Sequence, residues 1–323
     1  MKPIRIHVAK PGWFSTVQDL GRYGYQQYGV PVAGAMDHYA TIIANRLVGN
    51  RDNAAVLELT LKGPELDFEG DAHIAITGAD LSPTIGGKSV PLWEGIEVSS
   101  GSRLCFGTAQ RGARSYLAIS GGIDVPLILG SRSTHCASET GGFKGRPLRR
   151  GDLLHTEQLR QSTEVSMGKR LPDQLIPCYE KSVRIRFIPG PQHNLFPATA
   201  LTTLTNTSYT VTPESNRMGY RLTGPRIVRK GSEHFISDGT ATGALQIPAD
   251  GQPILLMADR QTTGGYPKIG CVITADLPLT AQLAPGDTIT FSLTTLAKAQ
   301  TTLLEQRALL DVALPQRRNF HKD

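Results

Sequence analysis

Short apolar runs separated by turn residues dominate this chain. Arg184-Ile185-Arg186-Phe187-Ile188 alternates polar and apolar side chains, which is the two-residue period of a half-buried strand. His73-Ile74-Ala75-Ile76 and Tyr116-Leu117-Ala118-Ile119 are short and apolar, and glycine-containing segments bound them closely. Strands at such spacing favour barrels or sandwiches over strand–helix winding. Two segments carry the helical period instead. Asp37 is placed to cap a helix running to Val48, with Tyr39, Ile42, Ile43 and Leu47 on one face and Gly49 as its stop. Residues 294–314 form the other, with an apolar stripe of Leu296, Leu303, Leu304, Leu310 and Leu314 before Pro315. That stripe is expected to pack on the outside of the second half or against a partner.

One stretch departs from plain strand-and-turn patterning. Apolar residues 253–257 and 271–274 read as two buried strands. Between them lies Ala258-Asp259-Arg260-Gln261-Thr262-Thr263-Gly264-Gly265-Tyr266-Pro267-Lys268-Ile269-Gly270, crowded with charged, amide and hydroxyl side chains. A surface hairpin needs only a turn dipeptide. Functional groups on a loop between rigid strands are a common way to present a site.

The polar stretch 156–182 separates two apolar-rich halves, so the expected organisation is a β unit over 1–155, a linker over 156–182, a second β unit over 183–293, and a helix and tail over 294–323. The halves resemble each other. Gly21-Arg22-Tyr23-Gly24-Tyr25 is similar to Asn216-Arg217-Met218-Gly219-Tyr220, and Ile76-Thr77-Gly78-Ala79-Asp80-Leu81 to Ile273-Thr274-Ala275-Asp276-Leu277. Two further matches keep the same order, Gly34-Ala35-Met36 with Gly243-Ala244-Leu245 and residues 101–106 with 286–291, which predicts a duplicated β unit.

Composition narrows the class. The chain has 323 residues, 39% hydrophobic and 19% charged, with 34 Gly and 21 Pro, which fits a globular protein with many turns. The net charge of +6 comes from scattered basic residues, and no basic stripe interleaves with aromatics. Nucleic-acid binding is therefore not expected; anionic substrates suit the charge as well. Cys105, Cys136, Cys178 and Cys271 show no CxxC spacing and read as reduced thiols of a cytoplasmic protein. The N-terminus lacks the apolar region of a signal peptide, and no segment has the length of a membrane span.

Common catalytic templates fail. Ser82-Pro83-Thr84-Ile85-Gly86-Gly87-Lys88-Ser89 approaches a phosphate-binding loop, but Ser82 stands where glycine is needed and Pro91 follows where a helix is needed. A hairpin turn at Gly86-Gly87 is the better reading. No GxSxG is present, and no two histidines have metal-ligand spacing, so no metal is expected. In Pro189-Gly190-Pro191-Gln192-His193 the stiffened turn offers Gln192, whose amide can read a ureido or lactam edge.

Long blocks of the chain resemble one family. They include Thr16-Val17-Gln18-Asp19-Leu20-Gly21-Arg22, Gly29-Val30-Pro31 through Asp37, Ala44-Asn45-Arg46-Leu47-Val48-Gly49-Asn50, and Gly121-Gly122-Ile123-Asp124-Val125-Pro126 with Leu129-Gly130-Ser131-Arg132-Ser133-Thr134. In the second half, residues 189–192, 215–222, 243–248 and 258–269 join them. This pattern is similar to the allophanate hydrolase subunit 2, or KipA-like, family, whose members are also known as the C subunit of 5-oxoprolinase and as biotin-dependent carboxyltransferases. The resemblance implies a mainly β fold of two tandem cyclophilin-like β-barrel units with a few short helices and a C-terminal helix. It also implies the company of other polypeptides: the A and B subunits of 5-oxoprolinase, the latter KipI-like. One departure is visible, since Ser237-Asp238 stands where the family often carries Ser-Glu.

The activities that the resemblance implies set a shared demand. ATP-dependent opening of 5-oxoproline to glutamate, and carboxyl transfer from a separate biotin carrier to urea-like nitrogen, both build negative charge on oxygen beside a planar N–C=O group. Cations and oriented donors meet that demand. Arg260 can hold a carboxylate or phosphate in a fork, Lys268 can place a point charge, and Asp259 can act as base or anchor Arg260. Those three are the expected catalytic residues. Gln261, Thr262, Thr263, Gly264, Gly265, Tyr266, Gln192, Asn216 and Arg217 are the expected substrate-binding residues. A non-catalytic alternative also follows from the resemblance, a regulator that sequesters a KipI-like kinase inhibitor.

Overall fold

In the computed structural model, residues 3–158, 168–231 and 236–316 are described. The middle of the polar connector, 159–167, and the tail from 317 onward lie outside the described residues. The chain is mainly β, and it divides into two compact units. One comprises residues 1–21, 37–178 and 307–323; the other comprises 22–36 and 179–306.

In the first unit, two sheets share one core. The six-stranded sheet runs in the order Leu153–His155, Arg5–Lys10, Glu65–Glu69, Arg103–Cys105, Thr84–Ile85, Lys88–Ser89. The five-stranded sheet runs Phe14–Gln18, Val56–Thr60, Arg111–Ile119, Ala72–Asp80, Gly95–Val98. Alternation decides which side chains turn inward: Ile4, Ile6 and Val8 are buried while Arg5 is exposed. Ala72–Asp80 is buried along most of its length, as a strand covered on both faces must be. One cover is the helix His38–Leu47, and Thr77 donates from Oγ1 to the Ala40 carbonyl at 2.7 Å. Asp37 caps that helix, its Oδ1 accepting from Ala40 N at 2.8 Å. Gly49 follows at φ +73°, where a side chain would be strained. Gly86 and Gly87, at φ +56° and +78°, turn the hairpin between Thr84–Ile85 and Lys88–Ser89.

Asp19 organises the loop after Phe14–Gln18. Its carboxylate accepts from Gly21 N at 2.8 Å, Ser131 Oγ at 2.7 Å, Arg132 N at 2.6 Å and Ser133 Oγ. A carboxylate with that many donors is a structural hub. Gln18, Asp19 and their serine partners are all buried.

The second unit contains a closed seven-stranded barrel in the order Ser182–Pro189, Lys268–Val272, Ala244–Gln246, Ile254–Leu256, Gly219–Thr223, Ser208–Val211, Thr288–Leu293. Its first and last strands pair in parallel; the other neighbours are antiparallel. Val183, Ile185 and Phe187 point inward while Arg184 is exposed, as the alternation demands. Phe187 and Phe291 meet edge to face at 6.0 Å across the closing pair. The strand expected over 271–274 is Lys268–Val272 instead. Pairing with Ala244–Gln246 sets its start, because Gln246 registers with Lys268.

The C-terminal helix spans Leu296–Ala313. Its expected stripe is only partly buried: Leu310 and Leu314 are enclosed, Leu303 is half-buried, and Leu296 and Leu304 are 59% and 65% exposed. Arg46 supplies the physical reason. It holds the last turns through Nη1 to Asp311 Oδ1 at 2.6 Å and to the Leu314 carbonyl at 2.9 Å, while Nε and Nη2 fork onto Asp52. No helix among the described residues is long and apolar enough to cross a membrane.

Replacing Asp19 with alanine removes a charged acceptor from several buried donors. The expected loss is about 3 kcal/mol or more of stability, read as a lower urea midpoint. An unchanged midpoint would show that the loop does not depend on this carboxylate.

Candidate functional site

Strand pairing places the first part of the site. Gly219–Thr223 runs antiparallel to Ile254–Leu256, and the ladder continues past both ends. Met257 N donates to the Met218 carbonyl and Asp259 N to the Arg217 carbonyl, each at 2.9 Å. Arg217 and Asp259 therefore face each other. Arg217 donates from Nε to Asp259 Oδ2 at 2.9 Å and from Nη2 to Oδ1 at 3.0 Å. Nη2 also donates to the Gly34 carbonyl at 2.5 Å. Both side chains are buried, so each is the other's charge compensation. The expectation that Asp259 anchors Arg260 is corrected here: its fork belongs to Arg217, since strand register brings that guanidinium opposite it.

Arg260 is left differently placed. It is 7% exposed, and its Nη1 reaches only the Met257 carbonyl, at 3.4 Å. Its Nε is buried without a hydrogen-bond partner, and no carboxylate among the described residues pairs with it. Burial pushes this guanidinium below its usual range, opposed by Tyr23 and Cys271 nearby. Burial likewise raises the Cys271 thiol and the Tyr23 phenol, and the Arg260 charge draws both down. Tyr23 and Cys271 are thus neighbours of Arg260, a placement the linear sequence does not announce.

Lys268 sits on a barrel strand rather than in a loop, with its side chain 5% exposed. Its Nζ lies 3.4 Å from Asp238 Oδ2. Asp238 is exposed, and its carboxyl lies below the usual range, held there by the Gly239 amide and then by Lys268. Gln192 completes the group. Its Oε1 accepts from Lys268 N at 3.1 Å and its Nε2 reaches Asp238 Oδ2 at 3.4 Å. The turn carrying Gln192 is pressed on the strand, and a Cβ at Gly190 would stand 2.3 Å from the Lys268 carbonyl oxygen. His193, exposed on that loop, has its Nδ1 2.8 Å from the Gly190 carbonyl.

Gly264 marks a convergence of amides. A Cβ there would lie 2.5 Å from Gln246 Nε2, 3.3 Å from Gln261 Nε2 and 3.2 Å from the Thr240 methyl. Asp238–Gly239 pairs with Thr263–Gly264, and Thr240 donates from N to the Thr262 carbonyl at 3.0 Å and from Oγ1 to the Gln261 carbonyl. Segment 238–240 and segment 261–264 thus form one small ribbon. Thr263, Gly265 and Tyr266 are exposed on it, and Gln261 and Thr262 are half-buried.

Of the residues expected in a site, Lys268 and Gln192 meet at Asp238, and Gln261 meets Gly264. Arg217 joins Asp259. Asn216 is exposed and accepts from Met218 N at 2.8 Å, the bond of a local turn. Sequence reasoning did not place Tyr23, Thr240, Gln246 or Cys271 here. The one available signal was Gln246 itself, a buried amide in the strand Ala244–Gln246. Among the described residues no group of three His, Cys, Asp or Glu could hold a metal. Chemically, the segment offers buried positive charge, amide donors and a single accessible carboxylate.

The buried fork can be tested for its own energetics. Asp259→Leu removes the carboxylate that Arg217 Nε and Nη2 both address and should cost about 3–5 kcal/mol. Arg217→Met combined with Asp259→Leu should recover most of that loss in the same denaturation assay. A coupling near zero in this double-mutant cycle would show that the two charges do not support each other.

Comparison with known proteins gives a consistent placement. Residues 28–293 match the model described as carboxyltransferase domain, subdomain A and B. The chain is 38% identical over 304 residues to the C subunit of 5-oxoprolinase from Escherichia coli, covering 94% of this chain and 95% of that protein. It is 34% identical over 305 residues to urea amidolyase of Saccharomyces cerevisiae, covering 90% of this chain and 17% of that protein. The solved K. lactis urea amidolyase superposes with a TM-score of 0.91 at 34% identity over 97% of this chain, which spans 20% of that much longer chain. The seven-stranded barrel, the turns pressed on it and these likenesses along nearly all of this chain agree: the chain belongs to the carboxyltransferase domain family, subdomains A and B.

Proposed function

We propose that this chain is the C subunit of an ATP-dependent 5-oxoprolinase, opening the lactam of 5-oxoproline to L-glutamate in a complex with the enzyme's A and B subunits, the latter KipI-like. The observation that carries this reading is the 38% identity along 94% of this chain and 95% of the E. coli C subunit. The site chemistry supports it. Opening a lactam builds charge on its carbonyl oxygen, and preorganised cations in a dry setting stabilise such charge best. In this reading Lys268 supplies a fixed positive charge, and Gln192 and Gln261 read the N–H and C=O edge of the lactam. Arg217 and Asp259 position the turn that carries Arg260. Asp238 lies beside Lys268 as an exposed carboxylate, and the Gly239 amide and Lys268 hold its carboxyl below the usual range, which suits a fixed counter-charge better than a proton acceptor.

ATP, when bound, supplies the phosphoryl group that activates the amide. The hairpin at Gly86-Gly87 is followed by no helix, so that turn is not a phosphate-binding loop. A second reading is favoured by the fit to urea amidolyase: a carboxyltransferase component acting on urea-like substrates with a separate biotin carrier.

Co-expression with the companion polypeptides tests both readings. The three-part complex should release glutamate from 5-oxoproline and ATP, and Lys268→Met should lower that rate by about a hundredfold or more. A verified complex that ignores 5-oxoproline, consumes ATP when given urea, and is stopped by avidin would transfer the assignment to the second reading.

A further inference from the structure

Among the described cations of the barrel, Arg260 is buried without compensation. Its neighbour in sequence, Asp259, has both oxygens committed to Arg217. Lys268 has Asp238 at 3.4 Å, and Arg186 has Asp276 at 2.6 Å. Arg260 has a buried, unbonded Nε and one weak contact to a carbonyl. A guanidinium does not lose its proton to escape burial, so the charge stays and destabilises the ligand-free chain. Such a group is retained where a ligand brings the missing counter-charge. Of the two groups that feel its charge, Tyr23 is 58% exposed and Cys271 is half-buried.

We propose that Arg260 is the receptor for the free carboxylate of the substrate, with Tyr23 at its entrance, so that the site selects an acid over a neutral amide or urea. This rests on the 5-oxoprolinase reading and deepens it. Charge count favours a carboxylate over a polyphosphate, because the fork supplies one unpaired cation where a nucleotide brings several negative charges. Geometry agrees, because a planar guanidinium offers two parallel donors to a planar carboxylate. The acid would fix the ring while the lactam edge meets the amides of Gln192 and Gln261. Neutral urea would leave Arg260 as uncompensated as it is without ligand.

Two measurements decide the matter. In the three-part complex, Arg260→Gln should raise KM for 5-oxoproline about a hundredfold or more, with KM for ATP unchanged. Arg260→Lys, which keeps the charge but loses the fork, should fall between. In the full-length chain alone, 5-oxoproline should raise the melting temperature and its neutral primary amide should not; Arg260→Gln should abolish that difference and leave the ligand-free melting temperature equal or higher. A raised KM for ATP instead would make the ligand a phosphate and overturn the proposal. Equal stabilisation by acid and amide in the wild-type chain would overturn it as well. If the complex fails to turn over 5-oxoproline yet the chain still discriminates acid from amide through Arg260, the carboxylate site stands and the assigned reaction falls. Turnover without discrimination keeps the reaction and removes the carboxylate site.

Discussion

The forked ion pair between Arg217 and Asp259 is the constraint from which the rest of the site follows. It joins the end of one barrel strand to the end of its neighbour and reaches on to the Gly34 carbonyl. By taking the only carboxylate next in sequence to Arg260, it also determines that Arg260 is buried without a counter-ion among the described residues. An ion pair in a dry interior adds little net stability over apolar packing. Its value is positional, because two forks in register allow one geometry where two methyl-bearing side chains would allow many.

Much of the fold was legible in the linear pattern. Alternation in Arg184-Ile185-Arg186-Phe187-Ile188 marked a strand whose inward residues are Ile185 and Phe187, and Asp37 and Gly49 bracket the helix His38–Leu47. Those signals are local: they depend on side-chain period and on backbone dihedrals within a few residues. The site was legible in outline only. A cluster of polar groups between apolar runs marked the segment, but the partner of Asp259 lies beside another strand, and only ladder register reveals it. The place of Lys268 was hidden for a related reason. A charged residue at the edge of an apolar run looks like loop, whereas its pairing with Ala244–Gln246 makes it strand. Tyr23 was hidden most completely, since residues 22–36 depart from the first unit and join the second.

The likeness between the halves has a similar lesson. Arg22 and Arg217 occupy matching places in the repeated sequence and both are buried. Yet around Asp19, three residues before Arg22, the carboxylate gathers backbone amides and hydroxyls, while Asp259 faces a guanidinium. One acid fixes a loop to its own unit by neutral donors; the other balances a charge. Each acid must be read from its own partners.

The barrel closes by laying Ser182–Pro189 alongside Thr288–Leu293, the opening and final strands of its sequence. As the ribosome delivers the chain from its amino end, the opening strand must wait with both edges unpaired, one until Lys268–Val272 and the other until Thr288–Leu293 has emerged. Pairings so distant along the chain form slowly and leave sticky edges in the meantime. Production of this protein should therefore respond sharply to translation speed and chaperone supply, far more than its finished, edgeless barrel would imply.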